Sequence, residues 1–186
     1  MSDAPKPAAG SRRTVFLVLL LFAAPLAAAF WLYYGSSWRP ALHTNHGTLI
    51  TPPVTLADGV LHGKWTLLVI GRGESGCDAA CRNTLIYARQ TWLSLAQLTP
   101  RVQRVLLAES GCCDTEYLHR EHSGLITLDA ASPTALPLLP LIPEPTVGTI
   151  YVVDPLGNLM MRYDVRQDPK GLREDLKKLL ELSHIG

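Results

Sequence analysis

Two pairs of cysteines are the residues in this chain best suited to chemistry: Cys77 and Cys81 in Gly76-Cys-Asp-Ala-Ala-Cys, and Cys112 and Cys113 in Gly111-Cys-Cys-Asp. They are the chain's only 4 cysteines. Arranged as close pairs rather than scattered staples, they point to redox or metal chemistry. Cys77 and Cys81 are four apart, so one helical turn places both sulfurs on the same side. There they can close into a disulfide or share a soft metal ion. Amides exposed at a helix N-terminus favour a thiolate; Asp78 opposes that effect, and Arg72 and Arg82 support it. The plain alternative is an inert disulfide or two core thiols.

The segments around the first pair predict a strand feeding a helix. Lys64 to Ile70 (KWTLLVI) is a short apolar run suited to a buried strand, and Gly71 to Gly76 is a loop. Beyond the cysteines, Leu85, Ala88, Trp92 and Leu95 recur at three- and four-residue steps on one helical face. Arg101 to Ala108 (RVQRVLLA) is a second strand, and Leu125 to Leu128 a short segment before the proline-rich stretch Ser132 to Pro145. Thr149 to Val153, the turn Asp154-Pro155-Leu156-Gly157, and Asn158 to Tyr163 predict a β-hairpin. The last helix is expected to have Asp168 as its N-cap, Pro169 at its first position, and Leu172, Leu176, Leu179 and Leu180 as its apolar face. This order of elements gives an α/β fold. The ends of neighbouring parallel strands share one sheet edge, so the two cysteine pairs are expected to share a face.

The N-terminal end is different in kind. Val15 to Tyr34 carries no charge and, at about 1.5 Å per residue, spans the ~30 Å hydrocarbon layer of a bilayer. Arg12 and Arg13 precede it, and Trp31, Tyr33, Tyr34 and Trp38 crowd its far end, so the C-terminus is expected outside the cytoplasm. Ala27-Ala28-Ala29 leaves a cleaved signal peptide as the alternative. The expected organisation is a cytoplasmic tail at 1–14, a transmembrane helix at 15–34, a linker at 35–53 and one folded domain at 54–186. Within that domain, Asp58-Gly59 suggests a small hairpin before Gly63. In a Gram-negative cell this arrangement is an inner-membrane protein with a periplasmic domain, a compartment where disulfides persist.

The bulk numbers narrow the partners. The 186 residues carry a net charge of +1, and Asp3, Lys6, Arg12 and Arg13 supply +2 of it, leaving −1 for the remainder. No basic surface for nucleic acid follows from that balance. Phosphate-loop, Gly-x-Ser-x-Gly and His-Glu-x-x-His motifs are absent.

A family resemblance is carried by Gly63-Lys-Trp-Thr-Leu-Leu-Val-Ile-Gly71, by Cys77 and Cys81 opening a long helix, and by Tyr151-Val-Val-Asp-Pro-Leu-Gly-Asn158. From about Pro53 to the C-terminus, with the anchor before it, the chain resembles the Sco (SenC) family of cytochrome c oxidase assembly factors. The resemblance implies a thioredoxin-like fold. It also implies a Cys-x-x-x-Cys pair that binds copper with a distal histidine, or that reduces the cysteines of the oxidase copper centre. Cys77 and Cys81 are thus the expected catalytic pair and Cu(I) ligands, and an oxidase subunit or another assembly factor is the expected partner. Arg82 stands where the family has proline. Thr146 stands where it has the copper histidine, so the chain is expected to take Cu(I) through two thiolates without a tight Cu(II) site. Gly148 falls where thioredoxins place a cis-proline. The contrasting expectation is a non-catalytic assembly protein that has kept the scaffold.

The remaining candidates read more plainly. Cys112 and Cys113 are relay thiols, soft ligands or incidental loop cysteines, and the strain of bridging adjacent cysteines favours the last reading. His119 and His122, flanking Arg120 and Glu121, read as a solvated face. Met160 and Met161 alternate along a strand, so only one can face a given side, and core or edge packing is expected.

Overall fold

The computed structural model describes residues 9–35, 44–56, 59–72, 78–109, 113–168 and 170–186. Two compact units divide the chain, Met1–His43 and Thr44–Gly186. The first contains helix α1, Ala9–Gly35, which continues through Pro25. Its stretch Arg12–Gly35 is long and apolar enough to cross a membrane once.

The second unit is a six-stranded sheet in the order β1-β6-β5-β2-β3-β4. The strands are β1 Thr48–Thr55, β2 Trp65–Gly71, β3 Val102–Ala108, β4 Leu125–Asp129, β5 Thr149–Val153 and β6 Asn158–Asp164. The helices are α2 Ala79–Ser94, α3 Thr115–Glu121 and α4 Gly171–Leu182. Strands β2, β3 and β4 run parallel. The β5–β6 hairpin and β1 join on the other side by antiparallel pairing.

Every residue of β2 is buried because both faces of the sheet are covered. Trp65, Leu67 and Val69 pack with Leu85 and Ala88 of α2 and Leu172, Leu176 and Leu180 of α4. Leu68 and Ile70 face the opposite layer, built from Leu56, Leu61 and the connection through Ala135, Leu138 and Ile142. The unbroken apolar run of β2 is therefore the pattern of a central parallel strand. A bulge shifts the β5–β6 register between Val152 and Val153, but the methionines still alternate: Met161 is buried and Met160 half-buried.

Three expectations shift. Part of the expected 35–53 linker, from Thr48, is strand β1, paired to β6 rather than forming a hairpin with the next segment. Prolines 52 and 53 hid it, being poor strand residues tolerated at an edge or bulge. Of the expected Asp58-Gly59 turn, Asp58 lies outside the described residues, and Gly59 onward is turn and bend. Helix α4 starts at Gly171 with Lys170 at the cap position. Asp168 still serves the helix start, accepting from the Lys170 and Gly171 amides at 3.1 and 3.0 Å. Pro169 lies outside the described residues.

The start of this unit is fastened to its end. The Asp175 carboxylate on α4 is buried and accepts from the His46 amide at 2.6 Å, the Gly47 amide at 3.1 Å and the Tyr163 hydroxyl at 2.5 Å. Burial, then the hydrogen bond to Asp175, pushes the Tyr163 phenol well above its ordinary range, so it remains a donor. Glycine is required at position 47 because a Cβ there would meet the Tyr163 ring at 2.3 Å.

Candidate functional site

The C-terminal ends of β2 and β3 lie side by side, and each strand is followed in the chain by a helix. The parallel register places Gly71 opposite Ala108, and the Glu109 amide donates to the Gly71 carbonyl at 2.9 Å. The Arg72 Nε donates to Glu109 Oε1 at 3.0 Å, tying the two strand exits together. Farther on, the Arg82 guanidinium of α2 lies 5.2 Å from the centre of the Tyr117 ring of α3, a cation–π contact. Each helix has an aspartate cap: Asp78 accepts from the Cys81 amide at 2.7 Å, and Asp114 accepts from the Glu116 amide at 3.0 Å.

Those constraints bring two sulfurs together. Cys81 is fully buried in the first turn of α2, and its Sγ lies 3.9 Å from the Sγ of Cys113. Cys113 is half-buried and is itself disulfide-bonded. Cys77 and Cys112 lie outside the described residues. The reading of Cys112 and Cys113 as incidental loop cysteines is corrected for Cys113, which packs against the first cysteine turn. The missed signal was charge complementarity one residue beyond each strand, Arg72 after β2 and Glu109 after β3. Arg72, expected to favour a thiolate, is paired with Glu109, and Asp78 caps the helix.

A cleft of about 500 Å³ opens beside Cys113, lined among others by Glu109, His119, His122 and Asp129. His119 is exposed as expected, but His122 is buried, which corrects its assignment to a solvated face. Helix α3 ends at Glu121, and His122, as its C-cap, leaves helical geometry at φ −126° and turns inward. Its Nε2 lies 3.2 Å from the Tyr117 hydroxyl. Burial, then the charges of Arg104 and Arg89, lowers its pKa against a weaker opposing effect of Glu121. Arg104 is itself buried, its guanidinium 4.7 Å from the Trp92 ring centre and donating to the Ser123 carbonyl at 2.7 Å.

The depressed His122 pKa has a defined pH consequence. Below about pH 6.5 the unfolded chain takes up a proton that the folded chain resists, so His122 makes the fold less stable as pH falls. Between about pH 7.5 and 5.5 the urea midpoint of the protein is expected to drop more than that of a His122→Gln variant. Equal drops would remove His122 as the cause.

The positions that the resemblance assigns to metal and substrate recognition are also visible. The Thr146 hydroxyl donates to the Glu144 carbonyl at 2.7 Å, and its amide donates to the Tyr151 hydroxyl at 3.1 Å. It supplies no imidazole. Gly148 has a φ of +91° with nothing within 4 Å of the place a Cβ would occupy. Among the described residues, no group of three or more His, Cys, Asp and Glu side chains is placed to hold a metal ion.

Residues 65–183 match the model of a protein family described as transmembrane-like, thioredoxin-like, C-terminal domain. The chain belongs to that family. Solved structures of Sco proteins share its fold. Copper-bound ScoI of Bradyrhizobium japonicum is similar at 17% identity and a TM-score of 0.51, covering 71% of this chain and 98% of that one. Copper-bound ScoI of Arabidopsis thaliana is similar at 20% identity and a TM-score of 0.50, covering 66% and 88%. Yeast Sco1 is similar at 17% identity and a TM-score of 0.52, covering 66% and 83%. No curated protein matches the chain. The matched residues lie within the mixed α/β unit Thr44–Gly186.

Proposed function

We propose that the protein is a membrane-anchored thiol–disulfide exchange factor whose thioredoxin-like domain works on the non-cytoplasmic side, the periplasm of a Gram-negative cell. Cys77 and Cys81 are its exchanging pair. The observation that carries this reading is the packing of Cys81, in the first turn of α2, against a disulfide-bonded cysteine at the exit of the neighbouring parallel strand. Such turns are where thiolates are held and where α/β sheets place their ligands.

The partner proposed is a cytochrome c oxidase subunit or another factor in its assembly. That link rests on the resemblance of residues 63–71, 77–81 and 151–158 to the Sco family. Copper is present in two of the similar structures, and the thiolates of Cys77 and Cys81 suit Cu(I). A three-ligand copper site does not fit the described residues, since Thr146 offers a hydroxyl already engaged with Glu144. Dithiol exchange needs no third ligand, and it is the chemistry we assign.

Complementation tests the proposal. In cells lacking the gene, the wild-type chain is expected to restore oxidase and a Cys77→Ser/Cys81→Ser variant, present at equal level in the membrane, is expected to fail. Full restoration by the double variant would leave a scaffold without thiol chemistry.

A further inference from the structure

We propose that Cys113 is a working cysteine of the exchange site, and that the disulfide passes to Cys81 through a Cys81–Cys113 bond. This deepens the thiol–disulfide reading above and rests on it.

The two sulfurs come from residues 32 apart in sequence and stand 3.9 Å apart in space. Several independent contacts hold that approach: the β2–β3 register, the Glu109 amide on Gly71, the Arg72–Glu109 pair and the Arg82–Tyr117 contact. A disulfide bond is about 2.05 Å long, so Cys81 is in contact with Cys113 without being bonded to it, and rotation of the two side chains closes the gap. Incidental cysteines require no such convergence of a register, an ion pair and a cation–π contact on one sulfur pair.

The two sulfurs also differ in position. Cys81 is fully buried, whereas Cys113 is half-buried and lines the cleft with Glu109, His119 and Asp129. Exchange between them therefore connects an interior sulfur with one at the edge of an open cleft.

The step balances without an added oxidant. The Cys81 thiolate attacks Sγ of Cys113 in its existing disulfide, the Cys81–Cys113 bond forms, and the former partner of Cys113 leaves as a thiolate. That thiolate takes up the proton that Cys81 released. One disulfide and one thiol are present before and after, and the disulfide now joins Cys81 to Cys113. Starting from the reduced pair, the Cys113 thiolate attacks a partner's disulfide through the cleft and one partner sulfur leaves as a thiolate; Cys81 then attacks Cys113, the Cys81–Cys113 bond forms, and the second partner sulfur leaves as a thiolate.

The test uses the full-length protein in detergent. A Cys77→Ser/Cys112→Ser variant keeps only Cys81 and Cys113, and after reduction it is treated with oxidised glutathione. Peptide mass mapping is expected to find a Cys81–Cys113 bond in nearly all molecules; glutathione left on separate cysteines, or unbridged thiols, would overturn the proposal. In the otherwise intact chain, Cys113→Ser is expected to slow disulfide exchange with an oxidised dicysteine peptide by roughly an order of magnitude. Cys113→Ala should do the same, and far-UV circular dichroism of both variants separates slow exchange from misfolding. Wild-type rates in both Cys113 variants, with exchange lost in Cys77→Ser/Cys81→Ser, would end the role of Cys113 and leave the exchange function standing. Wild-type rates in all three would end both.

Discussion

Cys81→Ser is expected to reduce disulfide-exchange turnover to the uncatalysed background and to leave the partner trapped on the protein as a mixed disulfide. The reason is its position. A sulfur buried to 0% exposure does not meet a partner first; it resolves a bond made by a more accessible sulfur. Removing it leaves the first attack possible and the second impossible. Serine is smaller than cysteine, and burying its hydroxyl costs about 1–3 kcal/mol, which a domain of this size withstands. Cys81→Ala, which buries no hydroxyl, is the matching control and is expected to trap the same species. Non-reducing gel electrophoresis and intact mass read the result, and turnover by Cys81→Ser at the wild-type rate would remove this residue from the chemistry.

Asp175→Ala is expected to destabilise the domain by about 4 kcal/mol, because one buried oxygen accepts from three donors that lose their partner together. These are the amides of His46 and Gly47 and the hydroxyl of Tyr163. The loss is a large fraction of the ~5–15 kcal/mol that holds a typical domain. Tyr163→Phe removes one donor and leaves the two amides satisfied, so about 1–2 kcal/mol is expected. Urea unfolding separates the two values; a loss below about 1 kcal/mol in Asp175→Ala would mean that water replaces the carboxylate at all three donors.

The parts of this fold written as periodic apolar patterns were legible in the sequence. KWTLLVI and RVQRVLLA are the central parallel strands, the Asp154 turn joins the predicted hairpin, and the spacing of Leu85 and Ala88 marks the buried face of α2. Long-range complementarity was not legible. Strand β1 is concealed by Pro52 and Pro53, because its pairing with β6 is not written in its own propensity. His122 reads as surface among charged neighbours, and only the end of α3 turns it inward. For the site, the expectation that the two cysteine pairs share one sheet edge can be followed only for Cys81 and Cys113, and the sequence could not weigh the contact between them. That contact depends on the Arg72–Glu109 and Arg82–Tyr117 pairs, each joining residues far apart in the chain.

The two outer strands of the sheet bear on how the protein behaves in company. A sheet margin with free amides recruits strands from other molecules, which is a route to clumping. Here one margin is β1, where Pro52 and Pro53 carry no amide hydrogen and lie in an interval of shifted register between Leu49 and Val54. The other is β4, only 5 residues long and closed by Asp129, whose carboxylate turns back to accept from the Ala131 amide. Neither margin offers a long run of donors and acceptors to a stranger. Many copies can therefore crowd together without zipping into shared sheets.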